Sequence, residues 1–344
     1  MAQITPSRLA PGACNALDVA KLLFAFIVVG MHQHPFEGDA FLFTWEWMRR
    51  MAVPFFFVAS AFLFFQRNPG PAELKHYVSR MLKLYGFWFV VMLPYTLSLR
   101  CDPSATVLWN VGHMLHLFIH GNTFMGSWFL MALIITIPLV YWLEQKVGMR
   151  WTLVTALVVE LFLQAYGWKW AMPQVAADAL LTIDAHFPGV HNSWLAAMIY
   201  VVAGRIIAMR WTSISQWPVR RVRLAALGLM LIMAAWIIVM TKILTIDSRT
   251  FLRVPVVILV FISVVRSNLT LDLPYRTLRR ISIIIYITHF LFIFLLREAQ
   301  LHVFHTFFPQ YVRYLLVLTA SLLVSLAIVR LQRVRGFGWL KCAC

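Results

Sequence analysis

The sequence predicts an all-α polytopic membrane protein with about ten transmembrane helices and both termini in the cytoplasm. Of its 344 residues, 61% are apolar and only 12% are charged, and the mean hydropathy is +0.78. An ordinary soluble domain has about a quarter of its residues charged. These values exclude a disordered chain, a fibrous repeat and a soluble enzyme with a polar shell.

The predicted helices are apolar runs of the length that crosses a bilayer, which is about 20 residues. They lie at about 16–34, 47–66, 81–99, 126–143, 151–167, 193–210, 224–241, 250–266, 281–297 and 312–330. The first run has no small-residue cleavage site after it and is expected to stay as a helix. Without an internal repeat or a linker, residues 1–344 are predicted to form a single membrane domain with a core of about 16–330.

Two of the predicted outer segments are too long to be simple turns. In residues 105–120, apolar positions recur at helical spacing, which predicts a helix that lies on the outer surface or dips partway into the membrane. Its histidines have a spacing that would suit a metal, but no acidic or cysteine partner is near, so we interpret them as a polar helix face and predict no metal. Residues 168–192 are polar and are expected to cover an outer cavity.

The charges follow the predicted topology. With the N-terminus inside, 21 of the 30 Lys and Arg residues lie on the cytoplasmic side and 9 outside. Topology therefore accounts for most of the net charge of +17, which in a nucleic-acid-binding protein would instead cluster on a wetted face. The four cysteines have no metal spacing and indicate neither a disulfide scaffold nor a zinc module.

The first run carries ionisable groups, which are costly inside a membrane and by default mark a site. Lys21 and His32 are eleven positions apart, so they share one helix face with an axial separation of about 16 Å. Histidine can transfer protons at neutral pH, and a lysine can hold a phosphate. On position alone, the alternative stays open that Lys21 reaches the inner surface and His32 ends the helix.

Three further polar residues lie in or beside predicted helices. Arg80 and Lys83 are three residues apart on one face of the third helix, although an ordinary cytoplasmic collar of positive charge is the simpler interpretation of these two alone. Glu160 lies in the middle of the fifth run, where a structural pairing with a neighbouring helix is favoured over catalysis.

Five short segments occur in a distinctive order along the chain. They are Leu17-Asp18-x-x-Lys21 with His32 after ten further residues, Val53 to Phe62, Arg80-x-x-Lys83-Leu84, Ser127-Trp128-Phe129-Leu130, and Ile281-Ser282-x-x-Ile285-Tyr286-x-x-His289. Together they resemble the motifs of the integral-membrane acyltransferase-3 family over residues 17 to about 290. Lys21 stands where many members have arginine, and lysine at this position is familiar in the branch that resembles sugar O-acetylases. Ala61 stands where glycine is common.

The resemblance implies transfer of an acyl group, usually acetyl, from cytoplasmic acyl-CoA to a hydroxyl of a glycan, lipid or small molecule. His32 would be the catalytic residue, as general base or as transient acyl carrier. Lys21, Arg80 and Lys83 would hold the phosphates of the donor, acetyl-CoA or another acyl-CoA, and Asp18 would pair with Lys21. The residues implied to line the substrate cavity are Asp18, Trp128, Tyr286 and His289.

The implied setting is the bacterial inner membrane, with the lipid bilayer, acyl-CoA and the acceptor as partners, no nucleic acid, and an aromatic surface that would permit a homodimer. Two other functions stay open. One is a transporter of a small molecule such as an amino acid, although no repeat of the transporter kind is present. The other is a non-catalytic membrane partner that binds acyl-CoA or a glycan.

Overall fold

The computed structural model describes residues 11–119, 121–168, 172–186, 190–243 and 250–344, and the regular secondary structure of these residues is helical, without strands. The helices are α1 (Pro11–Gln33), α2 (Gly38–Phe41), α3 (Trp47–Phe65), α4 (Pro71–Arg100), α5 (Val107–Ile119), α6 (Ser127–Gly167), α7 (Gln174–His186), α8 (Trp194–Met209), α9 (Trp211–Ile214), α10 (Val219–Lys242), α11 (Arg253–Val265), α12 (Tyr275–His302) and α13 (Gln310–Leu331). One π-helical turn, Leu42–Glu46, joins α2 to α3, and a 3-10 segment, Gly338–Ala343, ends the chain.

Each of the ten predicted runs coincides with one of these helices or with half of one. The fourth and fifth runs are the two halves of α6, which is broken at Gly148, where φ is 81°. Within the described residues, seven helical segments are long and apolar enough to cross a membrane, while α8 and α11 are shorter apolar helices. The multi-pass all-α class is thus confirmed, whereas the count of ten and the orientation of the termini stay predictions.

Two of the segments between the runs contain helices as well. The helix predicted in residues 105–120 is confirmed as α5, whereas its place on the outer surface stays a prediction, and the polar segment that follows the fifth run contains α7. His120, the last of the histidines on the predicted polar face, lies outside the described residues.

The described chain divides into two compact units. The His32 unit comprises residues 14–52, 76–131 and 269–344. The Glu160 unit comprises residues 11–13, 53–75 and 132–268. Every predicted site residue belongs to the His32 unit.

In the His32 unit, an indole packs against the backbone of α1 close to His32. Trp45, in the π-helical turn, lies so close to Gly30 that a Cβ at that position would overlap its ring. The indole Nε1 of Trp45 donates a hydrogen bond to the carbonyl of Ile27 at 3.2 Å. Glycine is needed at position 30 because only a bare backbone lets the ring approach this far.

The C-terminal segment is also packed within the His32 unit. Trp88 in α4 donates from Nε1 to the carbonyl of Ala343 at 3.0 Å, and Gln332 donates to the carbonyl of Leu340 at 2.9 Å. Both carbonyls lie in the final 3-10 segment, so the chain end is tied to α4 and α13.

The Glu160 unit contains a buried charge that is paired. Glu160 in α6 is almost fully buried, and its Oε1 lies 3.5 Å from a guanidinium nitrogen of Arg253 in α11. Gln164 donates to the same oxygen at 2.7 Å, and Arg253 donates from Nε to the hydroxyl of Tyr200 at 2.6 Å. The structural interpretation of Glu160 is therefore confirmed. A second pair, Arg205 with Glu144 at 2.7 Å, links α8 to α6.

The buried pair gives a stability prediction. We expect Arg253→Met to lower the unfolding free energy by about 3 kcal/mol, because it leaves the Glu160 carboxylate buried without a counter-charge. The measurement is the thermal unfolding midpoint of the purified protein in detergent. Arg150→Met is the control, since Arg150 belongs to the same unit and is exposed. Equal midpoints for the two variants would show that Glu160 does not need Arg253.

Candidate active site

His32 and His289 form a histidine pair within the His32 unit. Their ring centroids are 5.4 Å apart, and the ring of Phe290 lies 4.5 Å from His32 and 4.1 Å from His289. His32 is half-buried at the end of α1, whereas His289 is fully buried in the middle of α12. The structure thus brings together His32 and His289, two residues far apart in the chain that the sequence motifs place in the site.

The hydrogen bond of His289 determines which of its ring nitrogens carries the proton. Its Nδ1 lies 3.1 Å from the carbonyl oxygen of Ile285. A carbonyl oxygen only accepts, so Nδ1 is the donor and Nε2 carries the free lone pair of the neutral ring. That Nε2 is buried and has no hydrogen-bond partner among the described residues. A buried, unpaired acceptor beside His32 is available to a hydroxyl or to another proton donor.

A tight loop before α6 packs against this pair. Gly126 has a φ of +83°, and a Cβ there would approach the Phe290 ring to 2.7 Å. The same loop is tied down by Ser127, which donates to the carbonyl of Gly121 at 2.6 Å, and by a 2.7 Å hydrogen bond between Tyr85 and Thr123. The loop therefore holds Phe290, and through it both histidines, in place.

The other end of α1 carries a charge cluster. The carboxylate of Asp18 is buried, with 5% of its side chain exposed, and accepts hydrogen bonds from Arg279 Nε at 3.0 Å and Nη2 at 2.9 Å. This two-pronged geometry is the strong form of an arginine–carboxylate pair. The predicted pairing of Asp18 with Lys21 is thus replaced, since the hydrogen bonds of Asp18 go to Arg279, whose fork matches a carboxylate better than a point charge does.

Lys21 lies among these charges without a direct partner of its own. Asp18, Arg279 and Arg80 are within electrostatic range of it, and among the described residues it forms no ion pair. Arg80 is exposed on α4 with its guanidinium 5.9 Å from the ring of Tyr77, and Lys83 is exposed three residues further along. Lys21, Arg279 and Arg80 are therefore a cluster of three cations that one carboxylate only partly neutralises; Lys83 is not among the charges around Lys21.

Two contacts set the register of α1 against α12. Along α1 the contacts made by Asp18 and His32 are 14 residues apart, about 21 Å, and along α12 those made by Arg279 and His289 are 10 residues apart, about 15 Å. The two helices therefore run in the same direction. The long Arg279 side chain spans the difference of about 6 Å.

The aromatic residues predicted to line the cavity are partly brought to this place. Tyr286 is buried one turn before His289, with ring centroids 6.1 Å apart. Its neighbour across the helices is Phe129, whose ring lies 5.0 Å away, and Trp128 is half-buried next to Phe129 at the start of α6. Phe129 thus joins the aromatic wall beside the histidines.

Arg279 and Phe290 are the site residues that sequence reasoning missed. Arg279 stands three residues before Ser282 of the late motif and ten before His289. Ten residues place it about 80° around α12 from His289, so helical periodicity gave no signal that the two belong to one site. Within the described residues, no three His, Cys, Asp or Glu side chains are close enough to hold a metal ion.

The chain matches one known protein family over most of its length. The sequence profile of a family described as an acyltransferase domain, acyltransferase-3, matches residues 15–330, which include every site residue named above. The chain is also similar to a protein named amino-acid racemase from Enterococcus faecalis, with 26% identity over 147 residues, 40% of this chain. The match spans only 20% of that relative's length. No solved structure matches the chain.

The loop that supports Phe290 gives a second stability prediction. We expect Gly126→Ala to lower the unfolding free energy by about 1–2 kcal/mol, because a side chain in the left-handed region is strained and here also meets Phe290. Gly112→Ala is the control, since a Cβ there meets open space in helix α5. Thermal unfolding in detergent checks the difference. An unchanged midpoint for Gly126→Ala would mean that the loop does not hold Phe290 as described.

Proposed function

The chain belongs to the acyltransferase-3 family of multi-pass membrane proteins, and from this premise we propose that it is an O-acyltransferase. The group transferred is an acyl group, with acetyl as the first candidate. The donor is acyl-CoA in the cytoplasm, and the acceptor is a hydroxyl of a glycan, lipid or small molecule. The observation that carries the proposal is that α1 has a cation cluster at one end of a polar face and a histidine pair at the other.

The cation cluster suits the phosphate end of the donor. Within the part of the chain that the structure describes, Lys21 and Arg80 form no ion pair with a carboxylate, and Arg279 is half-exposed although it is bonded to Asp18. Three cations at one place attract the phosphates of a coenzyme, and Lys83 would extend the cluster along α4. The buried Asp18 acts by holding Arg279 and α12 in position. It is therefore a positioning residue.

The position of the histidine pair suits the thioester end of the acyl-CoA donor. The pantetheine arm of CoA separates its thiol from its phosphates, and the helix separates Lys21 from His32 by about 16 Å. A donor lying along this face would bring its thioester to His32. Inside the low-dielectric interior the reaction is shielded from water, which limits wasteful hydrolysis of the donor.

The chemistry at His32 balances with these groups alone. As general base, His32 removes the proton from the acceptor hydroxyl while the hydroxyl oxygen attacks the acyl carbonyl carbon. The new carbon–oxygen ester bond forms, the carbon–sulfur bond breaks, and the proton passes from His32 to the departing CoA thiolate. As acyl carrier, a ring nitrogen of His32 would instead attack the acyl carbonyl carbon and expel the CoA thiolate. The acceptor hydroxyl would then attack the acyl-histidine, the carbon–nitrogen bond would break, and the hydroxyl proton would pass to the thiolate.

His289 has a supporting role in this proposal. Its proton is held on Nδ1 by the Ile285 carbonyl, so its Nε2 is able to accept a hydrogen bond from the acceptor hydroxyl or from His32. Accepting from an Nε2–H or Nδ1–H of His32 would orient that ring and favour its charged form during proton transfer. Tyr286, Phe129 and Trp128 then form an aromatic wall beside the reacting groups.

A catalytic His32 gives the first activity prediction. We expect His32→Ala to abolish release of free CoA thiol from acetyl-CoA by the purified protein, because no other described group replaces the base or carrier at that position. His289→Gln should reduce the rate by about 10²-fold through loss of a positioned proton partner. His302→Ala, on the same helix as His289 with a side chain 73% exposed, is the control.

The same assay separates the alternatives. A transporter or a non-catalytic partner releases no thiol from acetyl-CoA with any acceptor, whereas an acyltransferase does. If purified His32→Ala released thiol at the wild-type rate, the proposed mechanism would be wrong.

The cation cluster gives a prediction for donor affinity. We expect Lys21→Gln to raise the KM for acetyl-CoA about tenfold with a smaller effect on kcat, because a charge-assisted contact to phosphate is lost far from the reacting atoms. Arg335→Gln is the control, since it removes an exposed cation near the C-terminus. Initial rates over a range of acetyl-CoA concentrations give both constants. A loss confined to kcat would contradict a phosphate-binding role.

A further inference from the structure

A second group of cations lies at the His32 end of α1. Arg49 and Arg50 begin α3, and Arg313 lies in the first turn of α13. All three belong to the nine Lys and Arg residues that the predicted topology places outside. Positive charge is depleted on that side of membrane proteins, so topology does not explain why three arginines occur here.

Trp45 brings these segments together within the His32 unit. Its indole packs on α1 at Gly30 and Ile27, as described above, and its ring lies 5.8 Å edge-on from Tyr314 in α13. The π-helical turn is thus held between the last turns of α1 and the first turn of α13. Arg49 and Arg313 consequently lie within electrostatic range of His34, and Arg49 also within range of His32.

The cations of this group differ in how they are paired. The buried carboxylate of Glu46 binds Arg49, at 2.6 Å, and Arg50, at 2.8 Å. Arg313 forms no ion pair among the described residues, and its Nε is buried without a hydrogen-bond partner. The side-chain oxygen of Gln310, one turn earlier, is buried and unpaired as well.

A buried donor on a charged group that has no acceptor is costly, and native structures rarely keep one without a ligand, an ion or a water. Arg313 therefore needs an acceptor, and the surplus of positive charge favours an anionic one. The planar guanidinium suits the paired oxygens of a carboxylate or phosphate better than it suits a neutral hydroxyl.

From these observations we infer that the Arg313 cluster, defined as Arg49, Arg313 and His34, binds an anionic group of the acceptor. The acceptor is then a molecule that carries a carboxylate or a phosphate near the hydroxyl to be acylated. This inference rests on the proposed function for the identity of the ligand as acceptor, but the binding itself requires no acyl transfer. A neutral acceptor would leave Arg313 unsatisfied while the donor occupies the far end of α1.

The test is ligand-induced stabilisation of the purified full chain in detergent, without acyl-CoA. The probes are glucuronate, glucose 6-phosphate and glucose, which share a sugar ring and differ in its charged group. At concentrations well above the dissociation constant, the anionic probes should raise the thermal midpoint by on the order of 2 °C, and glucose should not. The larger of the two anionic shifts identifies the source as a carboxylate or a phosphate. Equal midpoints with all three probes would overturn the inference.

Variants locate the binding. Arg313→Gln should remove the shift, and Arg313→Lys should keep part of it. Lys21→Gln and Arg100→Gln should keep it fully, since Lys21 belongs to the other cation cluster and Arg100 ends α4 with its only described polar contact to Met125. Should Arg313→Gln fail to fold, Arg49→Gln serves in its place. A shift lost in Lys21→Gln and retained in Arg313→Gln would show that the anions bind at the donor end, and would overturn the inference.

The two proposals fail in different ways. If the anionic probes stabilise the protein through Arg313 but no acceptor yields free CoA thiol, the anion site stands and the acyltransferase assignment falls. If thiol is released with glucose as readily as with glucuronate or glucose 6-phosphate and no stabilisation occurs, the acyltransferase stands and the anion site falls.

Discussion

The ion pair between Asp18 and Arg279 is the constraint on which the site depends. A carboxylate buried in a membrane helix must find a cation, and Asp18 finds one on α12 through two hydrogen bonds. That pair fixes the register of α1 against α12 at one end. Because both helices are continuous, the register determines what meets at the other end, and there His32 meets His289. A pair that serves structure therefore sets the geometry of the histidine pair.

The charged side chains within the membrane helices differ in whether a counter-charge pairs with them. Glu160 and Arg253 neutralise each other, Gln164 donates to Glu160 and Arg253 donates to Tyr200, although Oε2 of Glu160 is buried without a hydrogen-bond partner among the described residues. Lys21 and Arg313 are instead left without a carboxylate of their own among the described residues. A cation without a counter-charge is energetically costly inside a membrane, and such a cation is retained where a ligand supplies the counter-charge. The paired charges therefore belong to the scaffold, and the unpaired cations are the ones proposed to bind ligands.

Much of this arrangement could be predicted from the sequence, because helix periodicity is local. The ten apolar runs coincide with helices, and the shared face of Lys21 and His32 follows from the 3.6-residue period of an unbroken α1. The partners of those residues could not be predicted, because they depend on which helices pack together. Asp18 pairs with Arg279 and not with Lys21 because α1 packs against α12. The same dependence on segments far apart in sequence holds for the packing of Phe290 against His32 and for the position of Arg313 within electrostatic range of His34. At Gly148 the backbone leaves the helical conformation, so the two halves of α6 correspond to the two helices predicted there.

The central claim is that one donor molecule occupies α1 from Lys21 to His32. Chemical modification of histidines by diethyl pyrocarbonate, followed by peptide mass spectrometry, tests it directly. Acetyl-CoA should protect His32, whereas adenosine 3′,5′-bisphosphate, which carries phosphates without the pantetheine arm, should not, and exposed His302 should be modified in every sample. Modification of His32 at the same rate with and without saturating acetyl-CoA would contradict the claim.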